Sequence, residues 1–469
     1  MDSRKNHPSR NSKPTVSSAN ATQLKKAIQW IVNKSSFSNV TLHGNVKWAP
    51  HQLVMLIVLW AWSDRKQMTN AFDDAAQRCQ RLFDVLSVAT FQGMMRALVV
   101  YSPQMLPCLW TRFQTLMQQV APADFRIGKW LPLAVDGSRF DTPRTSSNEQ
   151  AFAAKNYGHG KQALSRAKWK KKNRRSKKLS APVKPQIWLT LIMHMGLKLP
   201  WCWKTGPSNA SERDHLLELI ETLEFPENTL FCGDAGFTGY EFWSRIIEQG
   251  HHFLVRVGAN VRLLKNLGYV KQQAGIVCLW PHAAAKKKQP PLVLRLIEIK
   301  NERGSLFLVT NVLSERQLST STLRRLYPLR WGIEVHFRAM KQTYGRRKLR
   351  SRNANHAVAE LEWSLVALTM IQLLCLREQQ KTDVRPDQIS IALACSAIRN
   401  ALDDWPQSPR SQTLNRQLRL ATKDTYHRTT SKSARYRPTP TDKPTNKGPQ
   451  IVIASNTLKQ IAKTISQAA

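Results

Sequence analysis

The chain has 469 residues, 42% of them hydrophobic, with 71 Lys and Arg against 31 Asp and Glu, a formal charge of +40. That length and apolar content exclude a disordered chain and allow two to four domains. Self-repulsion of this size calls for a polyanionic partner, most commonly nucleic acid, while seven scattered Cys without a C-x-x-C pair exclude a zinc ribbon or disulfide framework and fit a reducing compartment.

Residues 1–20 read as a solvated basic tail with no secretory signal. From 21 to 125 the periodicity is helical. Leu24, Ala27, Ile28 and Ile31 share a face, an apolar run over 53–62 follows Pro50, and "TNAFDDAAQRCQRLFDVL" continues the pattern. The apolar run is half the length of about 20 residues that a membrane span needs, so it predicts a buried helix and no membrane. Several helices ahead of an α/β region suit a DNA-binding domain, and a plain helical bundle shows the same pattern.

The texture changes near 128. "KWLPLAVDGSRF" predicts a strand that stops at Asp136, followed by a polar insert over 139–185. Within it, 161–178 carries ten Lys or Arg and no acid, densest at Lys170, Lys171, Lys172, Arg174 and Arg175. That run suits salt-dependent phosphate contact, or else a solvated loop. "QIWLTLIMHM" and "LPWCWKTG" read as a hairpin, and "SERDHLLELIETLE" as a helix capped by Ser211. "NTLFCGDAGF" repeats the first pattern, an apolar strand ending in Asp234 and a turn. Further strands are expected at 252–258, 291–299 and 306–313, and helices at 321–345 and 356–378. Beyond 403 the chain is basic and Pro/Thr-rich, as in a flexible tail.

Asp136 and Asp234 project from strand ends, and Glu334 follows on a helix. Three converging carboxylates make a hard-oxygen site suited to Mg²⁺ or Mn²⁺, with two ions able to serve an in-line displacement at phosphorus. A single Asp after a strand is more often a turn or cap residue. The helix segment "YPLRWGIEVHFRAMK" lines up Tyr327, Arg330, Glu334 and Lys341 on one arc at about 3.6 residues per turn, beside the apolar Ile333, Phe337 and Met340. A solvated face with weak ion pairs would present the same charges.

The spacing Y-(2)-R-(3)-E-(6)-K, with "AVDGS" and "GDAGF" around the two aspartates and "LRSRN" beyond, resembles the bacterial DDE transposases of the insertion sequence four family and its hairpin-forming relatives. The resemblance covers about 128–375. It implies an α/β, RNase H-like mixed sheet flanked by helices and interrupted by a β-rich insertion, here preceded by the helical domain read from periodicity. The expected division is a tail at 1–20, a helical domain at 21–125, a first core part at 126–256, the insertion at 257–315, a second core part at 316–402 and a basic tail at 403–469.

The resemblance also implies roles. Asp136, Asp234 and Glu334 would be catalytic metal ligands, while Tyr327, Arg330 and Lys341 would grip phosphates of the transposon end. Cut-and-paste transposition would proceed through a DNA hairpin, with Trp280 a stacking platform for an extruded base and Trp331 a packing residue. Members of the family act as homodimers in a synaptic complex, in the bacterial cytoplasm on nucleoid DNA. A transposase-derived DNA-binding protein whose catalysis has lapsed, and a nuclease that does not join strands, remain as alternatives.

Overall fold

The computed structural model describes residues 16–84, 88–153, 184–271, 273–301, 304–382, 384–402, 412–423 and 448–468. They fall into two units, Met1–Val120 with Ala359–Lys423, and Ala121–Val358 with Asp424–Ala469.

The first unit is helical, beginning with α1 (Val16–Ile31), α2 (Pro50–Trp62), α3 (Met68–Phe83) and α4 (Phe91–Val120). Pro50 opens α2 at a position where its missing N–H costs nothing, and the Gln52 side chain accepts from the Ala49 amide. Residues 53–62 are buried without a break, as expected of a helix that is apolar all round.

In the second unit, one ten-stranded sheet carries the fold. Its strands are β1 (Leu131–Asp141), β2 (Gln186–His194), β3 (Leu199–Gly206), β4 (Thr229–Gly233), β5 (His252–Arg256), β6 (Arg262–Lys265), β7 (Ile276–Leu279), β8 (Leu292–Asn301), β9 (Gly304–Thr310) and β10 (Gln450–Ile453). Their order is β10-β6-β7-β8-β9-β5-β4-β1-β2-β3. The block β3-β2-β1-β4-β5 is an RNase H-like core, with β1, β4 and β5 parallel and the β2–β3 hairpin antiparallel. Parallel strands are buried on both faces, hence the unbroken apolar "LPLAV" and "TLFCG". The predicted strand at 252–258 is therefore a core strand. The inserted strands β6 to β9 extend the sheet from it through the β5–β9 pair.

The helices of this unit are α5 (Pro122–Phe125), α6 (Ser146–Phe152), α7 (Glu212–Thr222), α8 (Tyr240–Glu248), α9 (His282–Lys286), α10 (Thr320–Leu326) and α11 (Gly332–Arg338). The expected cap of α7 is present, with Ser211 Oγ accepting from the Asp214 amide. Part of the predicted insert at 139–185 is regular, since β1 runs to Asp141 and α6 follows.

The long α12 (Ala354–Gln379) joins the helical unit from Ala359 on, with α13 (Ile391–Leu402) and α14 (Leu414–Arg419). This differs from the expected second core part at 316–402. The segment 354–382 is long and apolar enough to cross a membrane by composition alone, but its side chains are mostly buried inside the protein. Trp62 Nε1 donates to the Ala367 carbonyl at 2.9 Å, and Trp363 Nε1 to Ser102 Oγ at 2.7 Å.

The tail expected at 403–469 is corrected over its described residues, 412–423 and 448–468, and the rest of it lies outside the described residues. Asn20 Oδ1 accepts from the Leu414 amide at 2.7 Å, which fixes the start of α14 on α1. In the sheet unit β10 pairs in parallel with β6, and α15 (Asn456–Ala468) follows with Ala462 buried.

Candidate active site

Strand register brings the two aspartates together. Leu131 lies opposite Thr229 and Ala134 opposite Cys232, so Asp136 and Asp234 leave β1 and β4 at the same level. This is the carboxyl end of the parallel strands, where open α/β sheets place their sites. Asp136 does not end its strand, contrary to expectation. Pairing with β2 continues from Asp136 opposite Leu191 to Asp141 opposite Gln186, and this ladder keeps the polar "GSRFD" extended. Local amides orient both carboxylates: Gly137 N–H donates to Asp136 Oδ1 at 2.8 Å, and Gly236 N–H to Asp234 Oδ1 at 2.7 Å.

The segment carrying the other four residues is not one uniform helix. It is 3₁₀ over Tyr327–Trp331, α over α11, and π over Ala339–Thr343. The single arc expected at 3.6 residues per turn therefore breaks at both ends. Its apolar side is as expected, with Ile333, Phe337 and Met340 buried.

Each polar member has a defined partner. Tyr327 is only 5% exposed, and its hydroxyl donates to the Gly233 carbonyl at 3.1 Å, next to Asp234. Burial pushes this phenol up to about 12, so it is a neutral donor that ties the helix to the end of β4. Arg330 is 6% exposed and donates from Nη2 to Glu334 Oε1 at 3.2 Å. Burial works against its charge, yet Tyr327, Asp136, Glu334 and Asp234 together outweigh that and raise its pKa. Arg330 Nε is buried with no hydrogen-bond partner. Lys341 Nζ donates to Ser138 Oγ at 2.6 Å and sits 5.0 Å from the Phe140 ring centre. Burial holds its pKa below the usual lysine value. Ser138 and Phe140 share a face of β1 with Asp136, so Lys341 docks beside that carboxylate.

The carboxylates influence one another electrostatically. Asp136 is pushed up to about 6, first by burial; the Gly137 amide and Arg330 oppose the shift, and the charges of Asp234 and Glu334 add to it. A further acid, unmarked in the sequence reading, joins them. Half-buried Glu212, at the start of α7, is pushed up to about 7 by burial and then by Asp136 and Asp234, with Arg139 opposing. Its only sequence signal was the capping serine before it, which explains an acid in a first helical turn without invoking a site.

Oxygen donors that repel one another in this way match a hard divalent cation, which Asp136, Asp234 and Glu334 would hold. Among the described residues, no three such groups gather closely enough to hold an ion as they stand, and Glu334 is turned toward Arg330.

The aromatic expectations are reversed. Trp280 is 5% exposed, donates from Nε1 to the Gln289 carbonyl at 2.9 Å, and lines a cavity of about 840 Å³ with Tyr240, Trp243 and Leu458. A ring packed this way offers no open platform. Trp331, expected to pack, is 57% exposed, with the Arg330 guanidinium 5.3 Å from its ring centre. Lys170, Lys171, Lys172, Arg174 and Arg175 lie outside the described residues.

The family model "Transposase DDE domain" matches residues 131–370, more than half of the chain. The chain belongs to the DDE transposase family. Within the family, it is similar to the transposase InsG of insertion sequence element IS4 from Escherichia coli K12, at 26% identity over 306 residues. That alignment spans 63% of this transposase-family chain and 63% of the relative. The piggyBac transposase in a synaptic complex with hairpin DNA superposes with a TM-score of 0.38 at 9% identity, covering 87% of each chain.

Proposed function

We propose that this protein is a cut-and-paste DNA transposase that binds the terminal inverted repeats of its element, cleaves there and joins the ends to target DNA. The observation that supports it best is the matched level of Asp136 and Asp234 on adjacent parallel strands, with the charge of Glu334 reaching Asp136. Those three residues are the proposed catalytic set and the ligands of two Mg²⁺ ions, with Mn²⁺ able to substitute. Bound there, the ions would supply electrophilic stabilisation of a pentavalent phosphorus. The chain's own contribution is positioning and charge.

Arg330 is the residue best prepared for a phosphate, being buried, charged and left with an unpartnered Nε. Lys341 supplies a second cation, docked from the helical segment onto Ser138 of the strand that carries Asp136. Tyr327 acts differently from the direct phosphate contact first expected of it. Its hydrogen bond to Gly233 holds the helix at the end of β4, and it contributes to DNA binding by fixing Arg330 and Glu334 in place. A hairpin intermediate needs a sharply bent strand, and an unstacked base would find an open aromatic face in Trp331 rather than Trp280. The charge of +40 supports a DNA partner, and the helical unit and the basic run at 161–178 are its proposed further contacts. Action as a homodimer on cytoplasmic DNA belongs to the same proposal.

Purified protein incubated with Mg²⁺ and linear DNA bearing the ends of its element tests this reading. Hairpin and strand-transfer products are expected. Binding without cleavage would instead identify a lapsed transposase, and nicks without joining a nuclease. Replacing Lys341 by Ala should weaken end binding and lower the slope of log affinity against log salt by about 1. An unchanged slope would assign Lys341 to holding Ser138 alone.

A further inference from the structure

Seven Lys or Arg and no acid lie between Val335 and Ala359, and five of them fall within 346–352, "RRKLRSR". A run of this kind is ordinarily a solvated face, and solvation asks only that the side chains reach water. This one is held far more closely. The Asp141 amide donates to the Arg347 carbonyl at 3.1 Å, and the Asp141 carbonyl accepts from the Leu349 amide at 2.8 Å. These bonds dock the segment in parallel on the last residue of β1. Just beyond, α6 takes over. Thr145 Oγ1 donates to the Arg352 carbonyl at 2.6 Å, Asn148 Nδ2 to the Ser351 carbonyl at 3.1 Å, and Ser147 Oγ accepts from the Ala354 amide at 3.0 Å. Asn148 is itself wholly buried.

Burial alternates along the pinned stretch. Leu349 and Ser351 are buried, while Lys348, Arg350 and Arg352 are exposed, as is Arg347. Residues two apart in an extended segment lie about 7 Å from one another, so the exposed side chains stand in a row. The row begins near the site, because Lys341 rests on Ser138 of the same strand β1 that carries Asp141. Like charges fixed side by side repel, and a polyanion laid along them relieves that repulsion. An anchored backbone also avoids the ordering entropy that a loose basic loop loses on binding. We propose that residues 347–352 form a preorganised ridge for the sugar–phosphate backbone of DNA, leading a strand away from Lys341 past the end of β1. Its contacts are to phosphates, so it positions the duplex and reads no bases. The inference rests on the proposed action of this protein on DNA, and adds an outer contact to Arg330 and Lys341.

The test is fluorescence anisotropy of the full-length protein over a range of salt concentrations, with a labelled duplex bearing the end of its element and an unrelated duplex of equal length. Arg347→Gln, Lys348→Gln and Arg352→Gln combined should lower the slope of log affinity against log salt by about 3, on both duplexes alike. These side chains are exposed, so the fold should persist. A control combining Lys271→Gln, Lys287→Gln and Lys300→Gln removes the same charge from exposed positions elsewhere in the sheet unit, and should keep the wild-type slope. A wild-type slope in the first variant, or an equal fall in both variants, would overturn the ridge while leaving DNA binding in place. If the wild type itself shows no salt-dependent binding to either duplex, the reading of the protein as acting on DNA is what fails.

Discussion

Replacing Glu334 by Gln should lower strand cleavage by about 10³-fold or more while leaving DNA binding largely intact. Electrostatic stabilisation by a correctly held metal amounts to several kcal/mol, and each 1.36 kcal/mol is a factor of about ten in rate. Glutamine keeps the size of the side chain and can still accept from Arg330 Nη2, now 3.2 Å from Oε1, so the fold around α11 should persist. The negative charge is what disappears. Single-turnover cleavage of end DNA, with a mobility-shift assay alongside, separates the two effects. Cleavage at the wild-type rate would remove Glu334 from the catalytic set.

Asp136→Asn should abolish cleavage equally and, at the same time, stabilise the metal-free fold at alkaline pH. Asp136 is raised from 3.8 to about 6, chiefly by burial, so the folded state binds its proton more tightly than the unfolded chain does. The stabilisation from that proton is therefore complete below about pH 4 and is lost as pH rises through 6. Asparagine has no charge to bury at any pH, so its advantage over the wild type should grow as pH rises from about 4 to 6 and be complete above that. Its size should be on the order of 2 kcal/mol. Urea denaturation at pH 8 and pH 4, without divalent cations, measures it. An equal gain at both pH values would show that burial of charge at Asp136 is not its source. Opposite effects of one substitution on activity and stability are the usual mark of a group held in an unfavourable environment for its chemistry.

The acids were legible because each interrupts or follows an apolar run, and because the tyrosine, arginine and lysine around Glu334 keep a fixed spacing. The β2–β3 hairpin and the Ser211 cap were legible for the same reason, since alternation, helical periodicity and capping are local properties. The extension of β1 past Asp136 was not. "GSRFD" has no apolar pattern, and only its pairing with β2 keeps it in the sheet. The end of the chain misled in a similar way. β10 has its partner in β6, and α14 has its cap in α1, both distant in sequence. Local composition does not register a partner that far away.

The aromatics and Glu212 show where the boundary lies. Trp280 and Trp331 are indistinguishable as residue types, and their exposures depend on what each turns toward, Gln289 in one case and Arg330 in the other. Glu212 drew no notice in the sequence because its contact with Gly137 joins elements that are separate in sequence. Sequence alone carried the proposed chemistry of this protein, that of a strongly cationic chain with Asp136, Asp234 and Glu334 as the proposed cation ligands. Residue type and spacing carry that information directly. Tertiary structure decided which side chains meet, because the register of β1 on β2 and β4 sets which groups share a face and how far each is removed from water.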